Sequence, residues 1–229
     1  MEFKKVRLDF KYTNKGRFYR LLLVPSHTKL NDLGCIFVEA FHGTMEHCFL
    51  FKSHNTSYEP AYFLESFVSN DSVYMNHYTI EDLGEEFVFC YDTGDCWDFD
   101  CQVYKDSVFL DTEDTLVLLD GAGQGIWEDN IGTLYAYFEG KIPHDFNCED
   151  EENFIHKPWN VYIDKYSDFD NQLNIDEENE NLNDLVNITI KKYSMDERAF
   201  IKQNKMNMDD FKVKPKNKVH KNGFEPFGA

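Results

Sequence analysis

Between Glu86 and Tyr104 the chain reads EFVFCYDTGDCWDFDCQVY, and this stretch constrains the fold more tightly than any other. Its first six residues form a short aromatic-rich run suited to a pleated sheet. After the turn, Trp97, Phe99, Cys101 and Val103 alternate with polar neighbours on one face. Alternation on both sides of a TGD turn predicts a hairpin with one face against a core. The same signature recurs earlier, where Val6, Leu8 and Phe10 alternate, TNKG supplies turn chemistry, and FYRLLLV from Phe18 to Val24 reads as the partner strand. His47 to Phe51 (HCFLF) and Leu116 to Leu119 are further candidate strands.

Pro25 closes the second strand, and Leu30, Leu33, Phe37 and Phe41 then recur at steps of three and four. That spacing predicts one amphipathic helix with a single apolar stripe, with Thr28 as its N-cap and Gly43 as its stop. The stripe should pack on sheet faces carrying Leu22, Phe49, Phe89 and Phe99. The reading is an α+β fold: a mostly antiparallel sheet of short aromatic-rich strands with one main amphipathic helix packed on it, plus a C-terminal extension.

Composition supplies the exclusions. With 21 Phe and 13 Tyr the chain builds its core from rings and is not disordered as a whole. A net charge of -19 repels a phosphate backbone, so sequence-wide nucleic-acid binding is disfavoured. The chain contains no apolar run long enough for a membrane span, and MEFKKVRLDF lacks a signal-peptide core, which places the protein in the cytoplasm with no membrane partner. Cys35, Cys48, Cys90, Cys96, Cys101 and Cys148 form no CxxC pair and read as small core residues in a reducing compartment.

A composition shift near residue 145 divides a first domain, 1–145, from an extension, 146–229. The extension opens with CEDEEN, carries the aromatic island Pro158 to Tyr162, and becomes dense in acid and asparagine around Asp176 to Asn183. It then turns basic, with Lys212, Lys214, Lys216, Lys218 and Lys221 around Pro215. The extension reads as partly helical with a poorly ordered tail.

The order of motifs resembles the plasmid pRiA4b ORF-3-like family over residues 1–145. The residues that carry the resemblance are Phe18-Tyr19-Arg20, Val24-Pro25, Thr28 through Phe41, His47 through Phe51, Tyr91 through Phe99, and Trp127-Glu128-Asp129-Asn130. The hairpin is the most specific of these. Departures from the family pattern are Phe49 and Phe99, which stand where histidines are expected, and Ile126-Trp127, which replaces a double proline. The resemblance implies an α+β fold and a link to mobile-element passenger proteins, and it implies no established enzymatic activity.

Asp92 and Asp95 flank Thr93-Gly94, and two readings apply. In the favoured one they are turn carboxylates that accept backbone hydrogen bonds while Gly94 supplies a positive φ. In the other, Asp92, Asp95, Glu128, Asp129 and His47 gather as oxygen ligands plus one imidazole, suited to Mg²⁺, Mn²⁺ or Ca²⁺. The loop GAGQG lacks the Lys-Ser/Thr of a phosphate-binding loop and reads as a flexible turn. His42, His47 and His54 show no zinc-site spacing. Aromatics at Tyr58, Tyr62, Phe63, Phe67, Tyr74 and Tyr78 serve either packing or recognition.

The functional expectation is a non-catalytic binding or interaction domain with a protein partner and no cofactor. One alternative is an enzyme that uses a divalent metal on the carboxylate cluster. A second is a nucleic-acid-associated module that works through the Lys212–Lys221 tail.

Overall fold

The computed structural model describes residues 1–66, 71–112, 114–123, 125–129, 131–141 and 173–212. Eight strands form one sheet: β1 (Glu2–Phe10), β2 (Tyr19–Pro25), β3 (Phe49–Ser53), β4 (Thr56–Glu59), β5 (Ser72–Tyr74), β6 (Glu86–Tyr91), β7 (Trp97–Phe109) and β8 (Val117–Ala122). Their order across the sheet is β5-β4-β3-β6-β7-β1-β2-β8. Every neighbouring pair is antiparallel except β4 with β5. Among the described residues there are five α-helices: α1 (Leu30–Ala40), α2 (Ala61–Ser66), α3 (Ile80–Leu83), α4 (Ile131–Phe138) and α5 (Ile175–Gln203). None of the described helices is long and apolar enough to cross a membrane. The α+β class and the mostly antiparallel sheet read from the sequence are therefore present.

Register explains the core. Val6 lies opposite both Leu22 and Val103, and Phe10 lies opposite Phe99, so the apolar positions of β1, β2 and β7 share one face. Helix α1 lies on that face. Leu30, Leu33, Phe37 and Phe41 are fully buried with Leu22, Phe49, Phe89 and Phe99 in one cluster. The Phe37 ring meets Phe89 edge-on at 5.3 Å, and Phe41 sits 4.4 Å from Phe99. Gly34 allows this approach, because a Cβ there would fall 1.9 Å from the Phe49 ring.

Both ends of α1 differ from expectation. Its N-cap is Lys29 in extended backbone, without a capping side chain. The Thr28 hydroxyl instead donates to the Pro25 carbonyl at 2.8 Å, and the Leu30 N–H is satisfied by the Tyr78 carbonyl, so a neighbouring segment replaces the cap. At the other end His42, not Gly43, takes the left-handed position (φ 56°). The N–H groups of His42 and Gly43 bond the Glu39 and Val38 carbonyls at 2.9 Å each, which is the hydrogen-bond pattern of a Schellman cap.

Part of the glycine-rich segment is strand. Gly121 and Ala122 belong to β8 and pair with Arg20 and Tyr19. The buried Arg20 guanidinium donates to the carbonyls of Ala122 and Gly123 at 3.0 and 2.9 Å, so the loop turns carbonyls toward a cation.

Helix α5 follows the composition boundary near 145, yet Leu182 and Val186 enter the same core as α1 and the sheet. It covers the side of α1 turned away from the sheet, which buries Asn31, Cys35 and Val38 and leaves α1 enclosed nearly all round. It also caps the free edge of β8. Asn179 and Asn183, one turn apart, each accept from and donate to a β8-side residue, Leu118 and Leu116, at 2.8 to 3.2 Å. Asn187, a turn further on, accepts from the Thr115 hydroxyl. Side-chain amides thus stand in for a ninth strand.

Of the clustered aromatics, Tyr58 and Tyr74 are buried, and the Tyr62 ring packs at a tilt against Phe200 of α5 with centroids 4.5 Å apart. Cys35, Cys48, Cys90, Cys96 and Cys101 are free thiols. Phe67, Cys148, the Pro158–Tyr162 island and the lysines from Lys214 to Lys221 lie outside the described residues.

Candidate functional site

Three loops converge at one end of the sheet. The first follows the α1 cap and carries His47, which precedes β3 because that strand begins only at Phe49. The second is the β6–β7 turn. The third runs from Ile126 to Asp129 ahead of α4 and is tied to α1 by the Ile126 N–H on the Phe41 carbonyl at 2.8 Å.

In the β6–β7 turn the Asp92 Oδ1 accepts from the N–H groups of Gly94 and Asp95 at 3.0 and 3.3 Å. The Asp92 carbonyl accepts from the Cys96 N–H at 2.6 Å and closes the turn. The left-handed residues are Asp92 (φ 51°) and Cys96 (φ 60°) rather than Gly94. Gly94 sits close to the Asp92 carboxylate, where a Cβ would meet Oδ1 at 3.2 Å, a tight contact. Asp95 points elsewhere: its Oδ2 accepts from the Ile131 N–H at 3.2 Å, at the first turn of α4. Burial raises the Asp95 carboxyl above its ordinary range, and the bond to Ile131 opposes that shift.

His47 occupies the centre. Its Nδ1 lies 3.6 Å from Asp92 Oδ1, and its Nε2 lies 3.2 Å from Asp129 Oδ1 and 3.8 Å from Glu128 Oε2. His47, Asp92 and Asp129 each offer a donor atom within 4.8 Å of the others. His47 and Asp129 reach solvent, with side chains 28% and 41% exposed, whereas the Glu128 side chain is only 1% exposed. The structure therefore brings together four of the five sequence candidates and assigns Asp95 to the helix terminus.

The floor of this site is a half-satisfied carboxylate. Glu128 Oε1 accepts from the Thr44 N–H at 2.7 Å and the Tyr91 hydroxyl at 2.9 Å. Its Oε2 is buried and has no hydrogen-bond partner among the described residues, and His47 Nε2 is in the same condition. Burial raises the Glu128 carboxyl, and it raises the Tyr91 phenol strongly. A buried carboxylate oxygen without a hydrogen bond is costly, and this one lies 3.8 Å from the His47 imidazole.

Thr44 and Tyr91, which orient Glu128, escaped the sequence reading. Tyr91 looked like one more core ring, and a backbone N–H carries no sequence signal. The three neighbouring histidines part company, since His42 pairs with Glu178 at 2.7 Å and His54 Nδ1 meets the Ser53 hydroxyl at 2.7 Å. His47 meets Asp92 through Nδ1 but Asp129 and Glu128 through Nε2, and one ion can use only one of these nitrogens; with one donor atom per residue the cluster spans up to 4.8 Å, against about 3.0 to 3.4 Å for donors about 2.1 Å from a shared ion.

No curated protein matches this chain. Among solved structures, the crystal structure of a protein of unknown function from Methanosarcina mazei Go1 shares the fold, with a TM-score of 0.51 at 16% identity over 69% of this chain and 92% of that one. The model of the family described as plasmid pRiA4b ORF-3-like protein matches residues 4–177. That span continues past the boundary near 145 and reaches the first turn of α5. On this match the chain belongs to the plasmid pRiA4b ORF-3-like protein family.

Proposed function

We propose that the chain is a non-catalytic binding domain whose ligand is a divalent cation, held by His47, Asp92 and Asp129 above the Glu128 carboxylate. The observation that carries this reading is the buried, unpaired Glu128 Oε2 facing His47 Nε2 at 3.8 Å. One imidazole with several carboxylates suits Mn²⁺ better than Ca²⁺ or Mg²⁺, whose sites are built from oxygen alone. Binding is favoured over catalysis because the nearby donors, the Thr44 N–H and the Tyr91 hydroxyl, are spent on Glu128 and not presented to a substrate. The free thiols support a reducing, cytoplasmic setting, and the plasmid in the family's name supports the mobile-element association.

A second reading draws on the exposure of Asp129. An ion held there would face solvent beside Asp129, where a substrate oxygen could join it, as a metal-dependent enzyme requires.

The decisive measurement is thermal unfolding with and without Mn²⁺. At a concentration a hundredfold above Kd, the ion stabilises by about 2.7 kcal/mol, a rise of about 5 to 10 °C. His47→Ala and Asp129→Asn should remove that rise. An unchanged midpoint in the unmodified protein refutes the cation reading.

A further inference from the structure

Helix α5 and the His47 cluster are linked by six residues of chain, 42–47. At one end the His42 Nε2 meets Glu178 of α5 at 2.7 Å, with both side chains largely buried (5% and 13% exposed). One turn earlier in α1, Glu39 accepts from the Thr189 hydroxyl, so α5 grips the last turn of α1 at two points three helical turns apart. At the other end stands the ligand residue His47.

The linking turn has little freedom. His42 and Met45 both hold left-handed backbone, at φ 56° and 61°. Gly43 is wedged, because a Cβ there would fall 2.5 Å from Val38 Cγ1 and 3.3 Å from Glu128 Oε1. The next N–H, that of Thr44, donates to Glu128 Oε1 at 2.7 Å and leaves Oε2 facing His47. A rotation of this turn that released His42 from Glu178 would also withdraw the Thr44 N–H and leave Glu128 Oε1 to the Tyr91 hydroxyl.

We infer that docking of α5 through Glu178 and His42 regulates the cation site: the docked helix holds the 42–47 turn in the conformation that completes the site, and a bound cation in turn tightens α5. The inference rests on the cation reading above. Linkage makes the effect reciprocal, since a contact that favours one turn conformation must gain whatever the ion gains from it.

The experiment uses the full chain and Mn²⁺ alone. Calorimetric titration compares the unmodified protein with Glu178→Gln, His42→Asn, the double variant, and Asn183→Ala. Asparagine tolerates the left-handed backbone at 42, and Asn183→Ala loosens α5 at β8 without touching the turn. Glu178→Gln and His42→Asn should each weaken Mn²⁺ about fivefold or more, and the double variant no more than either single one. Asn183→Ala should stay within about twofold. Mn²⁺ should also slow amide exchange in α5 around residues 178–189. Unaltered affinity in Glu178→Gln, or equal weakening by Asn183→Ala, overturns the coupling while the cation reading stands. Absence of Mn²⁺ binding to the unmodified protein removes the reading and the coupling together.

Discussion

Two buried glutamates, Glu197 and Glu128, are chemically alike and placed in opposite ways. Glu197 on α5 is 2% exposed and both its oxygens are engaged: Oε1 accepts from the Ala61 N–H at 3.1 Å, and Oε2 from the Tyr74 hydroxyl at 2.9 Å and from the Asn31 amide. Glu128 receives the Thr44 N–H and the Tyr91 hydroxyl on one oxygen, and its other oxygen has no hydrogen-bond partner among the described residues. Burial raises both carboxyls. The difference teaches how to tell a fastener from a site: a saturated buried carboxylate ties elements together, and a half-saturated one keeps bonding capacity in reserve.

The sharpest way to break this comparison is substitution at each. Glu197→Ala leaves three donors without their acceptor at about 1 to 3 kcal/mol for each buried group, so a loss of about 3 kcal/mol or more is expected in urea unfolding. Glu128→Gln keeps a carbonyl for Thr44 and Tyr91, so without metal it should change stability by less than about 1 kcal/mol and should abolish the Mn²⁺ response. If Glu197→Ala proves neutral, or Glu128→Gln proves as damaging as Glu197→Ala, the distinction fails.

Asp95 extends the comparison to a partly exposed carboxylate used as a helix-terminus acceptor. Asp95→Ala should cost about 1 kcal/mol through loss of the Ile131 bond, and Asp95→Asn clearly less, since the amide oxygen can still accept. Neither should alter the Mn²⁺ shift. Loss of that shift in Asp95→Asn moves Asp95 into the cation site.

The smallest effect concerns pH. The folded-state pKa of Glu197 is raised by burial, so between the ordinary glutamate value and the raised one the native state holds more proton than the unfolded chain. The stability this contributes is complete below the ordinary value and is lost as pH rises through the raised one. Glu197→Gln should therefore flatten the fall in stability across the mildly acidic range. A slope identical to the unmodified protein shows that Glu197 does not titrate there.

Legibility in the sequence followed the range of the forces involved. The strands β1, β2, β6 and β7 and the stripe of α1 were plain, because a two-residue or 3.6-residue period is imposed by burying one face. The short β4 and β5, and helices α2 and α3, carry too few residues to show a period. Helix α5 is long, but much of its hold on the fold comes from single bonds of Asn179, Asn183, Asn187, Glu178, Thr189 and Glu197, and its apolar contacts, with Leu182 and Val186 in the core, Tyr193 on Phe49 and Phe200 on Tyr62, are spread among polar residues. Such a helix resembles a solvated acidic stretch until its partners are known.

What the sequence determined by itself was the α+β class and the ring-built core, and it nominated five residues for a cation site, since each rests on local pattern or residue type. Tertiary structure alone decided the rest. It separated Asp92 from Asp95 through the left-handed backbone at 92, and brought the 126–129 loop against α1 through one hydrogen bond to Phe41. It also left a single oxygen of Glu128 facing His47, by aiming Thr44 and Tyr91 at the other. Those outcomes depend on hydrogen-bond directions between segments distant in the chain, which residue identity permits and only packing selects.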